Sequence, residues 1–268
     1  MKKAPAIQLA DVQAVYSGPE GRLWQLLMGE QIHIGGFASS TDLAQRANIT
    51  AGQQGVDLCC CLGAGMRFLL RFTHAAKMTG VDATRAMLNL GRQRAAEEGL
   101  TDRMLFVETD VCATGLPANS FDFVWGEDAW CYVENKSQLI AEAARLVKPG
   151  GTIAFTDWLE GPVEMNDTEA ERFLKFMKFP NILSLAEYTE LLHRNGCTIQ
   201  VAEDTGRFPK YVPLYLAMIE KQLTYDALKI ISFDTALAQA LTDEMRFMQT
   251  LAQAQKIIQG IIVATKNP

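Results

Sequence analysis

Eleven residues, Gly55-Val56-Asp57-Leu58-Cys59-Cys60-Cys61-Leu62-Gly63-Ala64-Gly65, constrain this chain more than any other stretch. Val56 to Cys60 suit a buried strand, a bend of small side chains follows, and Met66 to Phe72 form a strongly apolar amphipathic segment. Strand, turn and helix in that order open a parallel α/β unit. At the carboxyl edge of such a sheet, backbone N–H groups and the positive end of a helix dipole draw a ligand's anionic group. Asp57 sets a carboxylate in an otherwise apolar strand, where it needs a partner. A bound ligand can be that partner. The turn is not GxGxxG, because Cys59 and Cys61 stand where a nucleotide-binding turn usually has glycine. On this motif alone, a ligand loop and an ordinary strand–helix turn weigh about equally.

The pattern then repeats. Ala76 to Val81 reads as a second strand closing on Asp82, where a ribose can offer two hydroxyls to one carboxylate. Thr84 to Gly99 reads as a helix and Met104 to Glu108 as a third strand, ending in Thr109-Asp110-Val111-Cys112. Phe121 to Trp125 is a fourth strand, Ser137 to Val147 a helix, Lys148 to Gly151 a turn and Thr152 to Trp158 a fifth strand. Upstream, Asp11 to Met28 reads as short helices broken at Ser17-Gly18-Pro19, and Ser40 or Thr41 can cap a helix running to Asn48. Downstream, helices cover Glu164 to Phe179 and Ser184 to Asn195, and Thr198 to Glu203 reads as a strand. Phe208 to about Ile258 is helical with interruptions, and Gly260 to Ala264 is a last strand.

Composition narrows the function. A net charge of −6 with no basic run argues against nucleic acid or an anionic membrane as partner. No apolar run reaches transmembrane length, and Met1 to Pro5 lead into a mixed polar segment rather than a leader's apolar core. The six cysteines, three of them consecutive, are not spaced as a disulfide framework. A soluble cytoplasmic protein is expected. Adjacent thiols on a strand alternate faces, so the cysteine triplet is not expected to hold a metal.

Val56-Asp57-Leu58 with its small-residue turn, Asp82, Thr109-Asp110-Val111, Phe121-Asp122-Phe123-Val124-Trp125 and Leu146-Val147-Lys148-Pro149-Gly150-Gly151 together resemble the Rossmann-like, class I S-adenosylmethionine-dependent methyltransferases. The resemblance implies a doubly wound, seven-stranded, mostly parallel sheet with its last strand antiparallel, an N-terminal helical cap and a C-terminal helical insertion. It divides one domain into a cap (1–50), a cofactor-binding core (51–160) and substrate-side helices with the last strands (161–268). Tyr16, the run Gly29 to Gly35 and Glu127 to Tyr132 look like the branch that methylates small amines, namely the sarcosine, dimethylglycine and phosphoethanolamine N-methyltransferases. Tyr132 departs from the phosphoethanolamine enzymes, which carry a histidine there.

The resemblance implies S-adenosyl-L-methionine as cofactor, S-adenosyl-L-homocysteine as product and a small-molecule methyl acceptor, and leaves room for a homo-oligomer. The turn from Cys59 through Cys61 to Gly63 is then expected to supply backbone donors and Asp57 to receive the ammonium. Asp82, with Ala83 beside it, takes the ribose; Asp110 takes the adenine amino group, flanked by Val111 and Cys112. Trp125, Gly126 and Glu127 lie beneath the sulfonium. Methyl transfer needs alignment more than acid–base machinery, but an amine acceptor needs a group to share its proton. The candidates are Tyr16, Asp128, His33 and Tyr132. Trp130 and Trp158 could face a methylated ammonium, with core packing the alternative. A hydroxyl, thiol or prenylated-ring acceptor, lodged against the apolar segment Tyr211 to Phe233, and a non-catalytic binding protein on the same fold are the competing readings.

Overall fold

The computed structural model describes residues 2–3 and 7–268, so the reading of Met1 to Pro5 lies mostly outside the described residues. Seven strands form the central sheet: β1 (Gln54–Leu58), β2 (Lys77–Asp82), β3 (Met104–Glu108), β4 (Phe121–Glu127), β5 (Val147–Glu160), β6 (Cys197–Asp204) and β7 (Ile257–Lys266). Their order is β3-β2-β1-β4-β5-β7-β6. The pairs β3–β2, β2–β1, β1–β4 and β4–β5 are parallel, whereas β7 runs antiparallel to both β5 and β6. The chain order reverses between β1 and β4, which opens a crevice beyond their carboxyl ends, the usual ligand position in open α/β sheets.

The helices are α1 (Leu9–Ser17), α2 (Pro19–Met28), α3 (Gly36–Arg46), α4 (Ala64–Phe68), α5 (Arg85–Glu97), α6 (Lys136–Leu146), α7 (Asp167–Met177), α8 (Leu185–Arg194), α9 (Phe208–Ala217), α10 (Thr224–Ile230) and α11 (Thr235–Gln253). The break between α1 and α2 falls at Gly18, and Pro19 opens α2 where its missing N–H costs nothing. Ser184 caps α8 in a reciprocal pair with Glu187. Val56, Leu58 and Val124 are buried on one face of the sheet and Phe123 and Trp125 on the other, as central parallel strands require. A separate aromatic cluster of Trp158, Phe173, Phe179 and Phe208 joins the helical insertion to β5.

Several boundaries differ from the sequence reading for local reasons. The first strand ends at Leu58 rather than Cys60, because Cys59 and Cys61 adopt left-handed backbones, with φ of 66° and 50°. Ser40 and Thr41 lie inside α3 rather than capping it, since the helix starts where Gly35 takes a φ of 87°. Lys148 to Gly151 are part of an irregular β5 rather than a separate turn. The long C-terminal helix ends at Gln253, and a left-handed Gln255 starts the chain toward β7 three residues earlier than expected.

Candidate active site

A cavity of about 550 Å³ lies in the crevice beyond β1 and β4. Helix α1 roofs it, docked by Gln13 Nε2, which donates to Ala83 O at 2.7 Å. Of the sixteen residues singled out from the sequence, thirteen line it: Tyr16, His33, Asp57, Cys59, Cys61, Asp82, Ala83, Asp110, Val111, Cys112, Glu127, Asp128 and Tyr132. Gly63, Trp125 and Gly126 do not. A Cβ on Gly63 would meet the Phe106 ring at 2.9 Å, and one on Gly126 would meet the Trp130 indole at 2.4 Å, so both are glycine for packing.

Gly65 forms a cradle that the sequence reading passed over. A Cβ there would lie 2.8 Å from Glu127 Oε2, 3.2 Å from Trp125 Nε1 and 3.4 Å from Asp57 Oδ2. Two carboxylates and an indole N–H therefore converge where only glycine fits. Trp125 Nε1 is buried without a hydrogen-bond partner among the described residues. Asp57 is 4% exposed; burial first, then the charges of Glu127 and Asp82, push its carboxyl well above the usual range. A cationic ligand group would relieve that burden.

The cysteine turn supplies fewer donors than expected. Its left-handed residues curl it onto the end of β2, so Cys59 N and Cys60 N donate to Val81 O, Cys61 N to Asp82 Oδ2 at 2.9 Å and Gly63 N to Cys60 O. Asp82 also accepts from Thr84 N at 2.8 Å. Burial raises its pKa, and these N–H bonds hold the rise back. Each oxygen keeps a lone pair for a further donor. The solvent-facing Asp110 accepts from Cys112 N at 2.8 Å, fixing the loop after β3. Burial raises the thiols of Cys59, Cys60 and Cys61, and pushes that of Cys112 up to about 12, so all four stay protonated at neutral pH.

Beyond β4, one network fixes the tautomer of His33. Ser40 Oγ donates to Glu127 Oε1 at 2.6 Å and accepts from Gln31 Nε2 at 2.8 Å. His33 Nε2 lies 3.2 Å from Ser40 Oγ and 3.3 Å from Glu127 Oε1. With the Ser40 proton directed at Glu127, both neighbours of Nε2 are acceptors, so the imidazole proton belongs on Nε2. Nδ1 is left with a free lone pair, buried and without a partner among the described residues. Ser40 and Gln31 were not among the expected site residues.

Asp128 is fully engaged. Its carboxylate accepts from Ile34 N at 2.8 Å and from Gln259 Nε2 at 2.7 Å, on a left-handed backbone with φ of 49°. It clamps the Glu30–Gly35 loop, helped by Gln259, which also donates to Ile34 O, and by Tyr215 Oη, which accepts from Gly35 N. Gln259 was legible as a lone amide in the apolar run Ile257 to Ile262. Burial raises the pKa of Asp128, opposed by His33 and these donors.

Tyr16 Oη donates to Tyr132 Oη at 3.0 Å, and the rings meet edge to face at 5.5 Å. Burial holds both phenols well above their ordinary pKa. Tyr132 also lines a second cavity, of about 270 Å³, among α2, α7, α10 and α11. Trp130 donates to Leu58 O and stacks on Phe155, and neither it nor Trp158 lines the first cavity, so packing is their role.

A family model described as a methyltransferase domain matches residues 56–155, the segment that carries β1 to β5 and the cradle. This segment is a methyltransferase domain. The methyl donor of the family is S-adenosylmethionine. The chain is 22% identical over 261 residues to a phosphoethanolamine N-methyltransferase of Plasmodium falciparum, covering 94% of this chain and 93% of that one. It is 28% identical over 201 residues to a sterol 24-C-methyltransferase of Gibberella zeae, covering 70% of this chain but only 52% of that longer protein. Haemonchus contortus phosphoethanolamine N-methyltransferase 2, solved with phosphomonomethylethanolamine and S-adenosylhomocysteine, shares the fold at a TM-score of 0.86 and 19% identity, over 98% of this chain and 60% of that one. The residues of the methyltransferase domain fit the donor: the buried Asp57 carboxyl, which accepts no hydrogen bond from the described residues, and Glu127 beside the Gly65 cradle suit the cationic groups of a zwitterionic ligand.

Proposed function

We propose that this protein transfers a methyl group from S-adenosylmethionine to the nitrogen of a small amine. The observation that carries the reading is the charge of the first cavity. Seven acidic side chains line it, those of Glu30, Asp57, Asp82, Asp110, Glu127, Asp128 and Glu134, and among the described residues no lysine or arginine does. The nearby cations Arg67 and Arg94 are both paired with Glu30. Such a site favours a sulfonium and an amine and offers nothing to a phosphate or carboxylate on the acceptor. The amine is therefore taken to carry no phosphate, unlike the substrate named for the Plasmodium relative.

The donor, when bound, supplies an electrophilic methyl group. In this reading Asp57 and Glu127 hold its amino-acid end beside Gly65, Asp82 takes the ribose hydroxyls, and Asp110, Val111 and Cys112 border the adenine. His33 Nδ1, out of contact with the cavity in the free protein, must be uncovered by the substrate to accept the proton that the amine gives up, while Glu127 and Ser40 hold the imidazole through Nε2. Tyr16 and Tyr132 stay protonated, so they orient the amine rather than deprotonate it. Asp128 acts by holding the His33 loop in place. Helix α1 excludes water from above.

Calorimetry with S-adenosylmethionine and S-adenosylhomocysteine, followed by labelled methyl transfer to a panel of amines, phenols, thiols and prenols, tests this. Micromolar binding and labelled amine are expected. Turnover confined to phenols or prenols removes the amine, and no binding at millimolar ligand leaves a binding protein on a methyltransferase fold.

A further inference from the structure

The second cavity is walled by apolar side chains, among them Leu23, Trp24, Leu27, Leu228, Ile231 and Met245. Arg246, the cation on its wall, is paired with Glu220 at 2.7 Å. Tyr132 belongs to the walls of both cavities, so the width of one side chain separates the apolar space from the polar site. Apolar walls left facing water in such a recess carry a free-energy cost that an apolar ligand would relieve. Tyr225, Phe233 and Leu237, on the same α10–α11 segment, are 69%, 51% and 40% exposed, which leaves an apolar approach from solvent.

We infer that the methyl acceptor is amphipathic, with its amine beside His33 and the tyrosine pair and a hydrocarbon body in the second cavity. About 270 Å³ holds on the order of ten carbon atoms, at roughly 30 Å³ for each water-sized group. The inference rests on the amine-methylation reading for the head of the acceptor, but the cavity assignment is tested by binding alone. A free fatty acid or phosphorylated lipid is a poorer occupant, since its head would meet the seven carboxyl groups of the first cavity.

The test uses straight-chain primary amines from ethylamine to dodecylamine, titrated into the full chain saturated with S-adenosylhomocysteine and read by calorimetry and Trp24 emission. Dissociation constants should fall about fourfold per methylene and level off near the eighth to tenth carbon, with a blue shift that Trp24→Phe removes. Ala227→Trp, which fills the cavity, should flatten the series while ethylamine and S-adenosylhomocysteine bind as before. Leu228→Gln, a milder change, should reduce the slope in the same direction. Constants independent of chain length, or a slope unchanged in both variants, overturn the inference. Chain-length dependence without S-adenosylhomocysteine binding would instead overturn the methyltransferase reading and leave the cavity assignment standing.

Discussion

The Tyr16 hydroxyl donates to the Tyr132 hydroxyl across 116 residues of chain, tying the roof helix α1 to the turn after β4. Burial keeps both phenols protonated, so this contact is a latch between cap and core, not an acid–base couple. Tyr132→Phe removes the acceptor and strands a partly buried donor, an effect of about 1–3 kcal/mol. The double variant Tyr16→Phe/Tyr132→Phe strands nothing. In a denaturant double-mutant cycle the singles should sum to clearly more than the double; simple additivity would show that water already serves these hydroxyls.

His33 is the group whose loss should separate chemistry from binding. His33→Ala removes the free Nδ1 lone pair but none of the groups assigned to the donor. Turnover of an amine should fall by roughly 10²–10⁴, with the affinity for S-adenosylhomocysteine changed less than about threefold. Undiminished turnover would mean that the amine loses its proton to solvent.

Asp57 links cofactor binding to pH. Its carboxyl is held well above the ordinary range by burial and by Glu127 and Asp82, so the free protein keeps that proton to higher pH than a surface aspartate would. A cation bound beside it favours the charged form and lowers its pKa. Binding therefore releases a proton, and affinity for S-adenosylmethionine should rise with pH across the range in which Asp57 of the free protein ionises. Calorimetry in buffers of different ionisation enthalpy should detect that release, and Asp57→Asn should abolish it. An equal release from Asp57→Asn would place the titrating group elsewhere.

The parallel strands were legible because each is a short apolar run closed by an acid or a turn, as in Val56-Asp57-Leu58 and Phe121 to Trp125. The cavity was legible for the same reason, since Asp57, Asp82, Asp110 and Glu127 cluster at strand ends that the topology brings to one edge. What stayed hidden depends on distant side chains. Ser40 satisfies a helix-cap rule, and only the long-range contact with Glu127 shows that it serves His33 instead. Gly65 looks like any helix glycine until Trp125, Asp57 and Glu127 converge on it. Cys59 and Cys60 read as strand, and the tertiary bonds from their N–H groups to Val81 O end the strand at Leu58 instead.

The left-handed turn predicts an asymmetry between two substitutions of Cys61. Glycine takes a φ of 50° without strain, offset by its greater unfolded-state entropy, so Cys61→Gly should stay within about 1 kcal/mol of the parent. A β-branched residue there is a true outlier. Cys61→Val should lose about 2 kcal/mol and weaken S-adenosylhomocysteine binding by moving the N–H that Asp82 accepts. Equal stabilities by urea denaturation would mean the turn relaxes to another conformation.

Asp157, on β5 outside the cavity, gives the sharpest pH signature. It accepts from Cys131 N at 2.9 Å and from Tyr188 Oη at 2.7 Å, near Lys136, whose buried ammonium donates to the carbonyls of Cys131, Val133 and Asn181. Burial raises its pKa from 3.8 to about 6, against the opposing pull of Lys136 and these donors. Between those values the folded chain binds more protons at this site than the unfolded chain, so the site's contribution to stability, intact below about pH 4, is lost as pH rises through about 6. At about 1.4 kcal/mol per unit the loss is on the order of 3 kcal/mol. Asp157→Asn keeps a carbonyl acceptor for Cys131 N and does not ionise. Its stability relative to the parent, measured by urea denaturation, should therefore rise from pH 4.5 to pH 7.5 by an amount of that order. A difference independent of pH would show that the carboxylate is already ionised at the acid end, held there by Lys136.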